Sequence, residues 1–143
     1  MKKAVSLLLA LSMLFVLCAC GNSSNKSDDP QVVITKDATV SFVSASFDKK
    51  ISNILHVDFN YKNTGDKAKS LFFTVNIKAY QDGKELFLKG KGEAADDILP
   101  GYDNTSTYSF ILENTESPVL IQYCTWGKTQ VISEFSIELP NNK

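Results

Sequence analysis

Between residues 54 and 62 apolar and polar side chains alternate without a break. Leu55, Val57, Phe59 and Tyr61 fall on one side of an extended chain, and His56, Asp58, Asn60 and Lys62 on the other. Successive side chains of a strand point to opposite faces, so this period of two defines a strand with one buried and one wetted face. Such a strand needs paired neighbours and a second layer to cover its apolar side. The same period recurs along the chain. Residues 71–81 direct Leu71, Phe73, Val75, Ile77 and Ala79 inward, and residues 105–112 do so with Tyr108, Phe110 and Leu112. Residues 129–139 direct Val131, Ser133, Phe135, Ile137 and Leu139 inward.

The connections carry the matching turn chemistry. Asp82-Gly83 suits a type I′ hairpin, whose two central residues take positive φ, and predicts that residues 85–88 return antiparallel to the strand before them. Asn63-Thr64-Gly65-Asp66, Pro100-Gly101 and Gly127-Lys128 mark further turns. Pro118 opens a strand over residues 119–126, and residues 32–34 add an edge strand. Residues 39–47 are rich in β-formers but change phase. Val40 and Phe42 share one face, whereas Val43, Ala45 and Phe47 share the other, which predicts a bulge or a strand that switches sheets. Residues 89–104 are the longest irregular stretch, with one helical turn at most over 94–99. No segment after residue 20 has a sustained 3.6-residue period. About seven short strands over residues 32–143 predict an all-β fold, an antiparallel β-sandwich of immunoglobulin-like type, with a closed barrel as the alternative.

Ahead of this domain the pattern differs. Lys2 and Lys3 precede an apolar run over residues 4–17 broken only by Ser6 and Ser12, and small Ala19 precedes Cys20. Only 16 residues separate Lys3 from Cys20, short of the roughly 20 that a membrane span requires. The order of charge, apolar run and small residue is that of a secretory signal. Leu17-Cys18-Ala19-Cys20 resembles the lipobox of bacterial lipoproteins. The resemblance implies cleavage after residue 19 and a diacylglycerol thioether on Cys20. Two acyl chains hold a protein stably at a bilayer where one does not, so Cys20 is expected to anchor the domain on the outer face of the bacterial cytoplasmic membrane. Residues 20–31 contain no large apolar side chain and are rich in Ser, Asn and Asp, as expected of a flexible tether. The expected divisions are therefore 1–19, 20–31 and 32–143.

Composition removes some functions. The chain has 15 basic residues, all of them Lys, against 16 acidic ones. Loss of Lys2 and Lys3 on cleavage leaves 13 against 16, a net charge of −3. A mildly acidic chain without Arg lacks the basic patch and the bidentate fork of nucleic-acid binders. With Cys18 cleaved off and Cys20 lipidated, Cys124 has no partner for an intrachain disulfide, so stability has to come from packing. Its neighbours Leu120, Tyr123 and Trp126 suit a small buried side chain better than a reactive thiol.

The candidates for chemistry are few. His56 is the only histidine, on the wetted face of its strand, and no G-x-S-x-G elbow accompanies it. Glu93, Asp96, Asp97 and Asp103, with Asn104, offer oxygen ligands of the kind Ca²⁺ accepts, without the EF-hand spacing; a solvated acidic loop is expected. Lys89-Gly90-Lys91-Gly92 lacks the phosphate-loop spacing and reads as a mobile turn. Tyr102, Tyr108 and Trp126 are candidates either for core packing or for an exposed aromatic contact. No cofactor and no catalytic constellation is expected.

Tyr61-Lys62-Asn63-Thr64, Ala68-Lys69-Ser70 and residues 79–86 (AYQDGKEL) together resemble a family of small lipoproteins, mostly from Gram-positive bacteria, that carry an immunoglobulin-like (telokin-like) domain of unknown function. Pro100-Gly101 and Ser117-Pro118-Val119 fit the same pattern, so the resemblance covers residues 39–126. It implies a lipid-anchored extracellular sandwich and supplies no catalytic residues. The expected role is a non-enzymatic binding module for a protein or cell-envelope component. The alternatives are an accessory subunit of a membrane transporter or signalling system, or a small metal-dependent envelope hydrolase.

Overall fold

The computed structural model describes residues 27–47 and 53–140. The signal segment 1–19, Cys20 and the tether as far as residue 26 lie outside them. The described residues form nine strands in chain order: β1 (Val32–Ile34), β2 (Ala38–Phe47), β3 (Ile54–Asn63), β4 (Val75–Gln81), β5 (Lys84–Glu85), β6 (Phe87–Gly90), β7 (Asp103–Ile111), β8 (Val119–Thr125) and β9 (Val131–Ile137). They form two sheets, ordered β1-β2-β3-β7-β6 and β5-β4-β8-β9, and every pairing is antiparallel. If β2, β3, β4, β6, β7, β8 and β9 are lettered A to G, the orders become A-B-E-D and C-F-G, the immunoglobulin constant-type arrangement. The short strands β1 and β5 extend the sheets beyond A and C. The fold is the expected sandwich, and two separate sheets exclude the closed barrel.

The alternation in β3 is carried through the structure. Leu55, Val57, Phe59 and Tyr61 are at most 1% exposed. Phe59 lies at the centre, edge-on to Tyr108 of β7 at 5.5 Å and to Tyr123 of β8 at 5.9 Å. Phe42 and Phe135 complete the cluster, 5.2 Å from each other. The Phe59–Tyr123 contact joins strands B and F, the pair that a disulfide bridges in antibody domains. Edge-to-face rings bring favourable quadrupole geometry in addition to buried area, so aromatic packing here serves in a chain whose described cysteine, Cys124, is free.

Four local expectations change. The pairing of β2 with β3 shifts register between Phe42 and Ser44, and Val43 is left outside and exposed. Ala45 and Phe47 pair with Val57 and Leu55 and return to the core side. The phase change is thus a one-residue bulge, and the strand beyond it does not face away from the core.

The strand expected from residue 71 begins only at Val75, because Leu71–Thr74 form a tight turn. The N–H groups of Thr74 and Val75 both donate to Leu71 O, at 3.0 and 3.1 Å. This turn rotates Phe73 outward, to 58% exposure.

After the Asp82-Gly83 turn, whose φ values are 51° and 79°, only Lys84 and Glu85 return along β4. Buried Leu86 then carries the chain across, and Phe87–Gly90 pairs with β7 in the other sheet. In β9, a register shift opposite Tyr123 and Cys124 leaves Val131 exposed, while Ile132 packs against the core.

Polar groups brace the ends of the sandwich. Gln81 is 1% exposed, and its amide nitrogen donates to Asn114 O (3.1 Å) and Ser117 O (2.8 Å). Its oxygen accepts from the N–H groups of Glu113 and Asn114, at 2.9 and 3.0 Å. One buried side chain therefore holds both ends of the 113–117 connection, and Asn114 Oδ1 closes its middle by accepting from Glu116 N and Ser117 N. At the chain entry, Val32 N donates to Asp29 O (3.0 Å), Tyr123 Oη to Gln31 O (2.9 Å) and Ser133 Oγ to Pro30 O (2.9 Å). The turn at residues 29–32 is thus bound to the β8–β9 side of the molecule, ahead of the Val32 boundary that composition indicated.

Two substitutions separate the contributions of the core. Phe59→Ala removes the ring that joins both sheets and is expected to cost about 3–5 kcal/mol in urea unfolding. The Tyr108 hydroxyl is buried without a hydrogen-bond partner among the described residues. Tyr108→Phe removes that uncompensated group and is expected to leave stability unchanged or raise it by up to about 1–2 kcal/mol in the same assay.

Candidate functional site

The exposed face of the five-stranded sheet carries the only histidine. His56 Nδ1 is 2.8 Å from Ser109 Oγ. Asp58, two residues along β3, accepts from Thr107 Oγ1 at 2.6 Å and from Ser44 Oγ at 2.7 Å. Both carboxylate oxygens are thus held by hydroxyls of the flanking strands, and no hydrogen bond links Asp58 to His56 among the described residues. These hydroxyl hydrogen bonds, Thr107 first and then Ser44, hold the Asp58 carboxyl below its ordinary 3.8. The residues make a polar ladder across β2, β3 and β7 in which imidazole and carboxylate each bind a hydroxyl of a flanking strand.

The acidic candidates disperse. Asp103 Oδ2 accepts from Asn60 Nδ2 at 2.9 Å, and Glu93 Oε2 from Asn104 Nδ2 at 3.3 Å. Asp96 and Asp97 are exposed. No three His, Cys, Asp or Glu side chains converge as metal ligands among the described residues. The Lys89–Gly92 stretch is not a mobile turn: Lys89 and Gly90 belong to β6, and Gly92 lies against β7 at φ 51°, where a Cβ would come within 3.2 Å of Thr107 N and O. Cys124 is 1% exposed, and burial pushes its thiol above the ordinary value. Tyr108 belongs to the core, whereas Tyr102 and Trp126 are exposed.

Apolar exposure concentrates at one end of the sandwich, where β3 and β8 finish and β4, β7 and β9 begin. Of the seven exposed large hydrophobic residues among those described, Phe73, Leu99, Tyr102, Trp126 and Val131 lie there, and Val43 and Phe87 do not. The Leu71–Thr74 turn and the Trp126-Gly127 turn place three rings together. Phe72–Phe73, Phe72–Trp126 and Phe73–Trp126 are 5.1, 5.1 and 5.3 Å apart. Lys91 Nζ stands 3.0 Å from the centre of the Phe72 ring. A cation on a ring face is held electrostatically, so the group presents aromatic surface capped by a positive charge.

The surrounding loops are fixed by one buried amide. Asn63, the last residue of β3, is fully buried. Its Nδ2 donates to Lys67 O and Ile98 O, both at 2.7 Å, and its Oδ1 accepts from Gly65 N at 2.9 Å. Its backbone binds the other loop as well, through Gly101 N to Asn63 O (2.9 Å) and Asn63 N to Tyr102 O (3.0 Å). Phe72 N donates to Ala94 O at 2.8 Å, and Lys69 pairs with Asp37. The Leu99–Tyr102 turn, closed at 3.1 Å with Gly101 at φ 86°, is the expected Pro-Gly turn. Tyr102 and Trp126 are two of the expected candidates for an exposed aromatic contact, whereas periodicity reads Phe73 as core and Asn63 as a turn residue. The meeting of Phe72 and Phe73 with the hairpin Trp is visible only in the structure.

Strand order and geometry define an immunoglobulin-like β-sandwich. Within that class, the chain matches the family described as a domain of unknown function (DUF5067) over residues 16–124, and it belongs to that family. Its fold is similar to a "putative lipoprotein" from Staphylococcus aureus, with TM-score 0.60 and 7% identity over 77% of this chain and 89% of that one. It is also similar to the yjhA protein from Bacillus subtilis, with TM-score 0.51 and 10% identity over 76% and 96% of the two chains. A β-sandwich protein from Clostridium difficile matches with TM-score 0.51 and 10% identity over 84% and 99%. No curated protein matches the chain.

The Asp58 ladder has a measurable acid signature. Because its folded pKa is depressed, Asp58 adds stability above the ordinary carboxylate range and loses it as pH falls through the folded value. The difference in Tm between wild type and Asp58→Asn at pH 6 should therefore close as pH drops below about 3.8.

Proposed function

We propose that the protein is a non-enzymatic β-sandwich module, anchored by lipid on Cys20 to the outer face of the bacterial cytoplasmic membrane, that engages a component of the cell envelope through its apolar loop end. The observation that carries this reading is the gathering of five exposed hydrophobic side chains at one end. The largest apolar patch on a monomeric protein is often a functional one. Loops held by a rigid β-scaffold are common places for recognition. The lipobox-like residues 17–20 lie within the family match, and the similarity to an S. aureus chain described as a "putative lipoprotein" agrees with anchoring.

Anchoring is tested by phase partitioning. The mature protein should enter the detergent phase with the mass of a diacylglyceryl adduct, and Cys20→Ser should lose both the adduct and processing at this site. A Cys20→Ser protein that partitions and matures as wild type does would remove the anchor from the proposal. Engagement is tested in intact envelopes with a photo-crosslinker at position 73 or, as control, at exposed position 84 in the opposite hairpin. Capture at 73 alone supports the assignment of the loop end, and equal capture at both positions contradicts it.

A further inference from the structure

We infer that the envelope component met by the loop end is the lipid surface of the membrane that carries the anchor. Phe73 and Trp126 dip into its interfacial layer, flanked by Leu99 and Tyr102. The inference rests on the anchored reading above and gives its ligand a chemical class.

Three observations lead to it. The first is residue chemistry. Trp with apolar rings and a lysine beside them is the composition that settles at a bilayer interface, where the ring bodies enter the acyl boundary and the ammonium stays at headgroup level. Phe72, Phe73 and Trp126 form one cluster with Lys91 over it. The second is area. A large aromatic side chain has about 150–250 Å² to bury. The 58% exposure of Phe73 and 41% exposure of Trp126 therefore leave roughly 100 Å² each. Leu99 and Tyr102 bring the total to roughly 400 Å², half of the about 800 Å² per partner in a standard protein interface. That is small for a protein partner held by this surface alone. It is sufficient for a contact made intramolecular by a tether, whose effective concentration reaches the millimolar range for short linkers.

The third observation is reach. Ser133 and Tyr123, which hold the carbonyls of Pro30 and Gln31, pair with each other near the start of β9 and the end of β8. The chain therefore enters the fold three residues from Trp126 along β8, roughly 10 Å. Cys20 is seven residues before Ser27, a span that covalent geometry limits to about 25 Å. These spans allow the anchor and the ring-bearing end to meet the same bilayer. Glu93, Asp96 and Asp97 lie on the neighbouring loop together with Lys91, so a zwitterionic bilayer is the probe that separates insertion of the rings from the charge of the headgroups.

Trp126 is the only tryptophan and reports directly on its own surroundings. Full-length lipidated protein is reconstituted into phosphatidylcholine vesicles, with and without a nitroxide label at shallow acyl depth. Iodide quenching of Trp126 should fall at least threefold on reconstitution relative to detergent-free protein that begins at residue 21 and so lacks both the apolar signal segment and the lipidated cysteine. The nitroxide lipid should reduce its emission at least twofold. The Phe73→Ser/Leu99→Ser variant alters two exposed positions, is checked by its circular dichroism and Tm, and should recover most of the iodide access while still floating with the vesicles. Flotation with Trp126 open to iodide and unaffected by nitroxide would overturn the docking and leave the anchor standing. Failure to float would overturn the anchored reading itself. Protection from iodide without nitroxide quenching would mean that a second copy or another protein covers the rings, and would likewise overturn the inference.

Discussion

The edge-to-face contact of Phe59 with Tyr123 is the interaction on which this sandwich depends. Two amphipathic sheets have to be held at one spacing, and a disulfide between strands B and F is one means of doing so. Here the free thiol of Cys124 sits one residue from Tyr123, with Asn76 and Val131 as its register partners. The sheets are joined instead by five aromatic rings. These rings come from β2, β3, β7, β8 and β9, so one group of contacts ties three strands of the first sheet to two of the second.

At the rim, burial of backbone groups becomes the governing cost, since an unpaired buried peptide group is expensive. Two amides meet it. Asn63 at the end of β3 and Gln81 at the end of β4 each bind loop backbone that no strand pairs. Both side chains are almost completely enclosed, so their capacity as donor and acceptor is spent on holding shape. The loop end is therefore presented on a braced frame, and its rings occupy defined positions.

This frame bears on the proposed role. The polar ladder around Asp58 and His56 is satisfied within the sheet, whereas the Phe72–Phe73–Trp126 group ends in solvent. The strand order defines the sandwich; the proposed envelope contact follows from where this particular chain leaves its apolar surface.

The strands were legible in the sequence wherever one face is buried and the other wet, as in β3, because a period of two has no other simple cause. The Asp82-Gly83 and Pro100-Gly101 turns were legible for a similar reason, since local φ preferences dictate them. Phe73 was not, because its place in an alternating pattern is indistinguishable from a core position until the Leu71–Thr74 turn rotates it outward. Asn63 and Gln81 were missed because a buried amide and an exposed one have the same sequence. The division of residues 84–90 between two sheets was also hidden, since it depends on Leu86 finding the core between them. By itself, then, the sequence determined which residues alternate and where the chain turns, through dihedral preference and hydrophobicity. Only the tertiary structure decided which strand each meets and which apolar side chains remain outside, because those depend on packing between residues far apart in the chain.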